Sequence, residues 1–316
     1  MSEPEKSAPA NWERDVLEKL ALSAVQEQRR SRHWSILFKT LGFLYLFIVL
    51  FLAAGWFRSD GVSIKAHTAL IDLQGVIAAD QTSADSVISS LQGAFEDKKT
   101  MGVILRINSP GGSPVQAGQI YDEIKRLKVL HPKTPLYAVV DDICASGGYY
   151  VAAGADKIFV DKASIVGSIG VLMDGFGFTQ TMQKLGVERR LLTAGENKGF
   201  LDPFSPVDPK HEAFARQMLE EIHAQFIAVV REGRGKRLKE TPEMFSGLVW
   251  SGEKSIELGL ADGLGNVESV ARDVIKAEEI VDYTRQDSLV ERLAGRLGAT
   301  MAKAWSPFDK TGVSLR

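Results

Sequence analysis

The sequence has very little cysteine and no excess of charge of one sign. Cys144 is the single cysteine among 316 residues, so an internal disulfide and a cysteine-based zinc cluster are both excluded. The 38 basic and 40 acidic side chains give a formal net charge of −2, which argues against nucleic acid as the main partner. Apolar residues make up 45% of the chain, a share typical of folded proteins and not of disordered ones.

Several motifs of cofactor and metal chemistry are also missing. Neither GxGxxG nor GxxxxGK[ST] occurs in the glycine-rich loops, which disfavours nucleotide binding. No HExxH is present, so the common zinc-peptidase helix is absent. The five histidines all lie outside the glycine-rich loops: His33, His67, His131, His211 and His223.

One long uncharged run contrasts with this ordinary composition. Residues 41–57 carry no charge, and the stretch 36–57 is long enough to span a bilayer. The lack of a polar face disfavours a buried core helix, and the long polar segment ahead of the run disfavours a cleaved signal peptide. Basic side chains are in excess just before the run, which predicts a cytoplasmic N-terminus and places the bulk of the chain outside the cytoplasmic membrane, in the periplasm if there are two membranes: Arg29, Arg30, Arg32 and Lys39.

The remaining chain reads as one α/β domain with two flanking segments. From about His67 strands and helices alternate, and repeated βα units imply a mostly parallel sheet. A long helix is expected after Asp208, with Pro209 at its first position and its end near Arg231. An apolar stripe recurs along it every four residues and predicts core or a subunit contact: Phe214, Met218, Ile222, Phe226 and Val230. The predicted organisation is a flexible tail at 1–34, a transmembrane helix at 36–57, a linker at 58–66, the α/β domain at 67–280 and an amphipathic extension at 281–316.

Glycine is concentrated in the middle of the α/β domain. Of the 29 glycines, 14 fall between residues 101 and 200, and six of these lie in three clusters that each follow a predicted strand. The clusters are SPGGS at 109–113, ASGGYY at 145–150 and VGSIGV at 166–171. Glycine lets backbone N–H groups face a ligand, and two such loops on neighbouring strands would supply the converging donors of an oxyanion hole. Ordinary tight turns are the alternative.

Ser146 is the candidate nucleophile. It begins a predicted helix and precedes Gly147, so the helix N-terminus and nearby amides would stabilise charge at its oxygen. Capping of the helix is the simpler role for this serine, and the two roles are compatible. Nothing in the sequence favours a histidine as its base; a lysine with a lowered pKa is the other option. Lys162 and Lys198 are equally eligible, and a surface position is the plain alternative for either.

Five ordered motifs resemble the signal peptide peptidase A family. They are INSPGGS at 107–113, ASGGYYVAAGADKIF at 145–159, SIVGSIGV at 164–171, AGENKGFLDPFSP at 194–206 and FSGLVWSGEKSIELGLADGLG at 245–265. The resemblance runs from about Thr68 to Ala271. It implies a ClpP/crotonase-like α/β fold and a membrane-anchored serine peptidase.

The resemblance also implies a role for each site residue. Ser146 would be the nucleophile, Lys198 the general base and Ser168 the residue that orients the lysine amine. The oxyanion hole would come from the amides of Gly147 and of Gly111 or Gly112. No metal and no organic cofactor is implied, and Cys144 has no assigned role.

The expected function is a Ser/Lys endopeptidase that degrades membrane-associated peptides, such as cleaved signal peptides. Its expected partners are those peptides, the lipid bilayer through residues 36–57, and further copies of the same chain. The chain carries one copy of the domain, and for such short members the resemblance implies a homo-oligomeric ring whose dyads form between subunits. The alternatives are a crotonase-like acyl-CoA enzyme and a non-catalytic membrane scaffold of the same fold.

Overall fold

The computed structural model describes residues 12–53 and 65–285, which belong to two separate units. The first unit contains helix α1, Trp12–Ala53. Its stretch Glu27–Phe51 is long and apolar enough to cross a membrane, and it is not buried within the protein. Helix α1 begins at Trp12, well before residue 36, where the predicted transmembrane helix at 36–57 starts.

The expected flexible tail at 1–34 is therefore helical from Trp12 onward. The reason is local: between Pro9 and Gly42 the chain contains no glycine or proline and is rich in strong helix formers. The amphipathic extension expected at 281–316 lies almost entirely outside the described residues, as does most of the linker at 58–66.

The second unit is an α/β domain built on one sheet. Its strands are β1 (His67–Ile77), β2 (Thr100–Gly112), β3 (Leu136–Ala145), β4 (Lys157–Val160), β5 (Ile165–Gly167), β6 (Val249–Ser251), β7 (Gly263–Leu264) and β8 (Ile280–Asp282). The main path runs β6-β5-β3-β2-β1-β8, and β4 pairs with β3 and β7. Every pairing is parallel except β5 with β6, so the predicted mostly parallel sheet is confirmed.

The helices of this unit follow the predicted alternation. They are α2 (Ala84–Glu96), α3 (Pro114–Leu130), α4 (Gly147–Ala152), α5 (Thr179–Lys184), α6 (Pro209–Arg234), α7 (Gly252–Glu257) and α8 (Val267–Ser269), which continues into a π-helical turn at Val270–Ile275. Asp208 caps α6 by accepting from the Lys210 N–H at 2.8 Å, and Pro209 occupies the first position as expected.

Alternation along the strands divides the core between the two faces of the sheet. Ile71 and Leu105 are fully buried on the face covered by α2, α3 and α4. Their neighbours Leu70 and Ile104 point to the opposite face, because successive strand residues alternate. There they pack against Val270 and the rest of the π-helical turn.

Most of the segment 171–208 is exposed and carries large apolar side chains. Leu192 is 97% exposed and Phe176 is 80% exposed. The exposure continues into the start of α6, where Phe214 is 61% exposed, whereas Phe226 and Val230 near its end are buried. The apolar stripe predicted along α6 is therefore core only in its C-terminal half.

Candidate active site

Ser146 lies directly after β3 in a strained backbone conformation. Its φ of 52° and ψ of −123° are unusual for a residue with a side chain. Its N–H donates to the Gly167 carbonyl at 2.8 Å, and its carbonyl accepts from Tyr150 at 2.9 Å. Its hydroxyl makes no capping hydrogen bond, so the simple capping role is not seen. A strained residue with an uncommitted hydroxyl at a strand end is typical of functional sites.

Residues 109–112, here called the SPGG loop, form the irregular end of β2 and pack directly against Ser146. A Cβ on Gly111 would lie 2.7 Å from both the Ser146 Cβ and the Gly147 nitrogen, and the φ of Gly111 is +104°. Only glycine fits there. The Gly111 N–H donates to the Ser109 hydroxyl at 3.1 Å and is therefore already engaged. Of the two glycines predicted to supply an oxyanion donor, Gly112 is the one whose nitrogen faces Gly147, 3.3 Å from where a Gly147 Cβ would lie.

A cavity of about 490 Å³ brings the predicted groups together. It is lined by four of the residues singled out from the sequence: Gly112, Ser146, Gly147 and Ser168. Its apolar wall is formed by Pro114, Ala117, Tyr150, Leu172, Ile222 and Phe226. The carboxyl ends of parallel strands lie at the same edge of a sheet, which explains why the ends of β2, β3 and β5 meet here.

Ser168 repeats the unusual backbone of Ser146 on the other side of the cavity. It follows β5 with a φ of 53°. Its N–H donates to the Leu248 carbonyl at 2.8 Å, and its carbonyl accepts from the Gly170 N–H at 2.9 Å. Two strained serines therefore line one cavity, each held by backbone hydrogen bonds to a neighbouring strand or loop.

Lys198 is not placed with them. It lies exposed in a turn, where its N–H donates to the Gly195 carbonyl at 3.2 Å, and it does not line the cavity. Within the described ranges 12–53 and 65–285, no lysine, histidine or carboxylate lines this cavity. Lys162, the other lysine considered, lines a different cavity near Asp161. The cavity of one chain thus holds a candidate nucleophile without a base.

His223 is a neighbour of the site that sequence reasoning missed. Its Nε2 lies 3.2 Å from the Ile169 carbonyl oxygen, and since a carbonyl only accepts, Nε2 donates. This contact joins α6 to the backbone next to Ser168. The available sequence signal was the position of His223 beside Ile222 on the helical stripe.

Cys144 does not line this cavity. Cys144 is fully buried between Ser109 of β2 and Val166 of β5, and burial raises the pKa of its thiol. The thiol is therefore inert in the folded protein. Across the part of the chain that the structure describes, no group of three or more histidine, cysteine, aspartate or glutamate residues is placed to hold a metal ion.

Comparison with known proteins first defines the class. The Clp protease family profile matches residues 61–166, the half of the domain that carries the SPGG loop and Ser146. The fold is therefore ClpP-like, as the motifs implied. The profile of peptidase family S49 matches residues 128–281.

Individual relatives refine this result. The chain is 30% identical over 234 residues to the putative signal peptide peptidase SppA of Enterococcus faecium, covering 71% of this chain and 67% of that one. It is 31% identical over 219 residues to the putative protease MJ0651 of Methanocaldococcus jannaschii, covering 68% and 70%. The chain belongs to peptidase family S49, the family of the SppA proteins.

A third relative is longer and has a different name. A Brucella abortus protein named Na(+)/H(+) antiporter NhaA is 43% identical over 216 residues. The match covers 66% of this chain and 29% of that protein, so this chain spans less than a third of its length. The antiporter name describes that longer protein.

Proposed function

We propose that the protein is a membrane-anchored serine endopeptidase that cleaves membrane-associated peptides with a Ser146/Lys198 dyad. The single observation that carries the proposal is the cavity in which Ser146, Ser168 and the amide-bearing Gly112 and Gly147 converge. Membership of peptidase family S49 supports the same reaction class.

In the proposed reaction, the Ser146 oxygen attacks the carbonyl carbon of a peptide bond. Lys198, as a neutral amine, takes the hydroxyl proton and passes it to the leaving amine as the C–N bond breaks. The amides of Gly147 and Gly112 stabilise the negative oxygen of the tetrahedral intermediate. Water then hydrolyses the acyl-serine ester, with the lysine as base, and restores the free serine.

The lysine would come from a neighbouring copy of the chain. Within one chain Lys198 is exposed and outside the cavity, and the surrounding segment 171–208 exposes large apolar side chains such as Phe176 and Leu192. Apolar surface of this extent typically marks a protein contact. A ring in which this segment packs on the next subunit would cover the apolar side chains and deliver Lys198 to Ser146.

The membrane assignment depends on helix α1. Its apolar stretch Glu27–Phe51 is long enough to span a bilayer, and basic side chains cluster at its N-terminal end. We place the N-terminus in the cytoplasm and the peptidase domain on the outer side of the inner membrane. Cleaved signal peptides would be natural substrates there, because they remain in the same bilayer.

The test compares two serines that each precede the first residue of a helix, in the full chain in detergent. Ser83 caps α2 by accepting from the Ser86 N–H at 3.3 Å, whereas Ser146 precedes α4 without such a bond. Ser146→Ala is expected to reduce cleavage of a mixed peptide pool below about one thousandth of wild type with the assembly intact. Ser83→Ala is expected to cost about 1 kcal/mol of stability and to leave cleavage intact. Cleavage retained in Ser146→Ala would refute the proposal.

A further inference from the structure

Strand β2 becomes irregular where it approaches the cavity. Its register against β1 shifts between Gln74 and Val76, and its register against β3 shifts between Ile107 and Ser109. Pro110 follows, and proline has no N–H to donate to a neighbouring strand. The normal ladder of backbone hydrogen bonds is thus interrupted on both sides of one residue, Ser109.

The Ser109 side chain bridges this interruption. Its hydroxyl donates to the Gly75 carbonyl at 2.6 Å and accepts from the Gly111 N–H at 3.1 Å. Ser109 and the Gly111 amide are buried, so that amide has no water as a substitute partner, whereas Gly75 is exposed. One hydroxyl therefore satisfies a carbonyl of β1 and an amide of the SPGG loop, and so fixes the conformation of the loop.

Ser109 also contacts the helix that carries the candidate nucleophile. A Cβ on Gly148 would lie 3.0 Å from the Ser109 carbonyl oxygen and 3.3 Å from its Cβ. On the other side of the loop, Gly111 fits closely against Ser146. Ser109 thus lies beneath both halves of the candidate oxyanion hole, although it does not itself line the cavity.

We propose that Ser109 is a positioning residue, whose hydroxyl locks the SPGG loop so that the Gly112 amide points at the developing oxyanion. This inference rests on the proposed function, because it needs Ser146 to form a tetrahedral intermediate. It gives the two neighbouring glycines different roles. The Gly111 amide binds the Ser109 hydroxyl, and the Gly112 amide donates to the oxyanion. Loss of the hydroxyl leaves the buried Gly111 amide unpaired, removes the bond to the Gly75 carbonyl and releases the loop.

The matched control is Ser164. It is 2% exposed, its hydroxyl donates to the Asp141 carbonyl at 2.6 Å, and it accepts from the Asp161 N–H at 3.0 Å. Ser109→Ala and Ser164→Ala each remove a buried hydroxyl that donates to one carbonyl and accepts from one amide, beneath the cavity for Ser109 and away from it for Ser164. The bond from the Gly111 amide is buried and the bond from the Asp161 amide is part-buried. A purely structural role predicts equal effects.

The experiment measures kcat and KM for a peptide, and the affinity of a peptide aldehyde that forms a tetrahedral adduct with the serine. Ser109→Ala is expected to reduce kcat about tenfold to hundredfold, to change KM less than about threefold, and to weaken the aldehyde in step with kcat. Ser164→Ala is expected to keep all three values. If Ser109→Ala does not fold, Ser109→Cys, which retains a weak donor, is expected to lose kcat and aldehyde affinity at least about threefold.

Two outcomes are distinguishable as failures. Wild-type kcat and aldehyde affinity in a folded Ser109 variant, or equal losses in the Ser109 and Ser164 variants, overturn this inference alone. Cleavage that persists in Ser146→Ala, or a wild-type protein that does not bind the aldehyde, overturns the proposed function and this inference with it.

Discussion

The backbone N–H of Ser146 donates a hydrogen bond to the Gly167 carbonyl oxygen at 2.8 Å. This bond joins the end of β3 to the end of β5, and the next residue after Gly167 is Ser168. The two serines of the cavity are therefore fixed relative to each other by main chain, and both have a positive φ. The strain stays at the site because neighbouring strands impose it.

His223 is expected to support this geometry from α6. His223→Leu removes the donor to the Ile169 carbonyl, frees the backbone beside Ser168, and is expected to lower kcat about tenfold with little change in KM. His223→Gln places an amide donor at similar reach and is expected to recover most of kcat. Steady-state peptide cleavage measures both.

The control for His223 is His131, which packs against Phe95 and lies beyond the end of α3, away from the cavity. His131→Leu is expected to leave kcat at the wild-type value. Equal kcat in His223→Leu and wild type, or no recovery in His223→Gln, would contradict a positioning role.

The shared dyad makes a quantitative prediction for mixed assemblies. Ser146→Ala and Lys198→Ala are each expected to be inactive. Subunits mixed at equal amounts before assembly are expected to recover about one quarter of wild-type activity, because one site in four then combines an intact serine with an intact lysine from its neighbour. Activity is measured on assemblies isolated with two different affinity tags. If such co-assembled rings recover no activity, the lysine does not come from the neighbouring subunit.

Asp262 sets a pH limit on the stability of the α/β domain. Its carboxylate accepts from Arg234 at 2.9 Å and from Arg237 at 3.1 Å, and the Arg234 side chain is fully buried. Burial acts to raise the pKa of Asp262, but Arg234, the Ile158 N–H and Arg237 outweigh it and hold that pKa below its ordinary value. The unfolded chain therefore binds the proton more readily than the folded one, and the contribution of this group is lost as pH falls through the folded-state pKa.

Asp262→Asn is accordingly expected to cost about 3 kcal/mol of unfolding free energy at pH 7, because it leaves Arg234 buried without its counter-charge. The difference from wild type is expected to shrink as pH falls below about 4, where the unfolded chain takes up the proton, and to be smallest below the lowered pKa of Asp262 in the folded protein. Denaturant unfolding at several pH values measures it. Glu240→Gln, which alters the exposed pair with Arg231, is the control and is expected to change little. A pH-independent difference for Asp262→Asn would be inconsistent with this account.

The sequence predicts which loops meet at the edge of the sheet where the cavity lies. Glycine clusters after three strands, combined with the rule that parallel strands end together, are enough to bring Gly112, Ser146 and Ser168 into one cavity. The motif resemblance leads to the S49 family that the comparisons show. Elements with strong periodicity, such as α6, were also predicted close to their observed bounds.

Contacts between residues far apart in the chain leave no recognisable pattern in the sequence. The hydroxyl of Ser109 and the imidazole of His223 each bind a backbone group far away in the chain, and such contacts depend on the folded path. The engagement of the Gly111 amide likewise follows from a register shift. Lys198 lies outside the cavity of its own chain, a position that the motif resemblance alone did not indicate.

The most direct test of the central claim is to map where a serine-directed fluorophosphonate attaches to the assembled, detergent-solubilised protein. The account predicts one labelled peptide that contains Ser146, loss of label in Ser146→Ala, and loss of peptide cleavage in proportion to labelling. Label on a different residue, or full cleavage by protein fully labelled at Ser146, would contradict it.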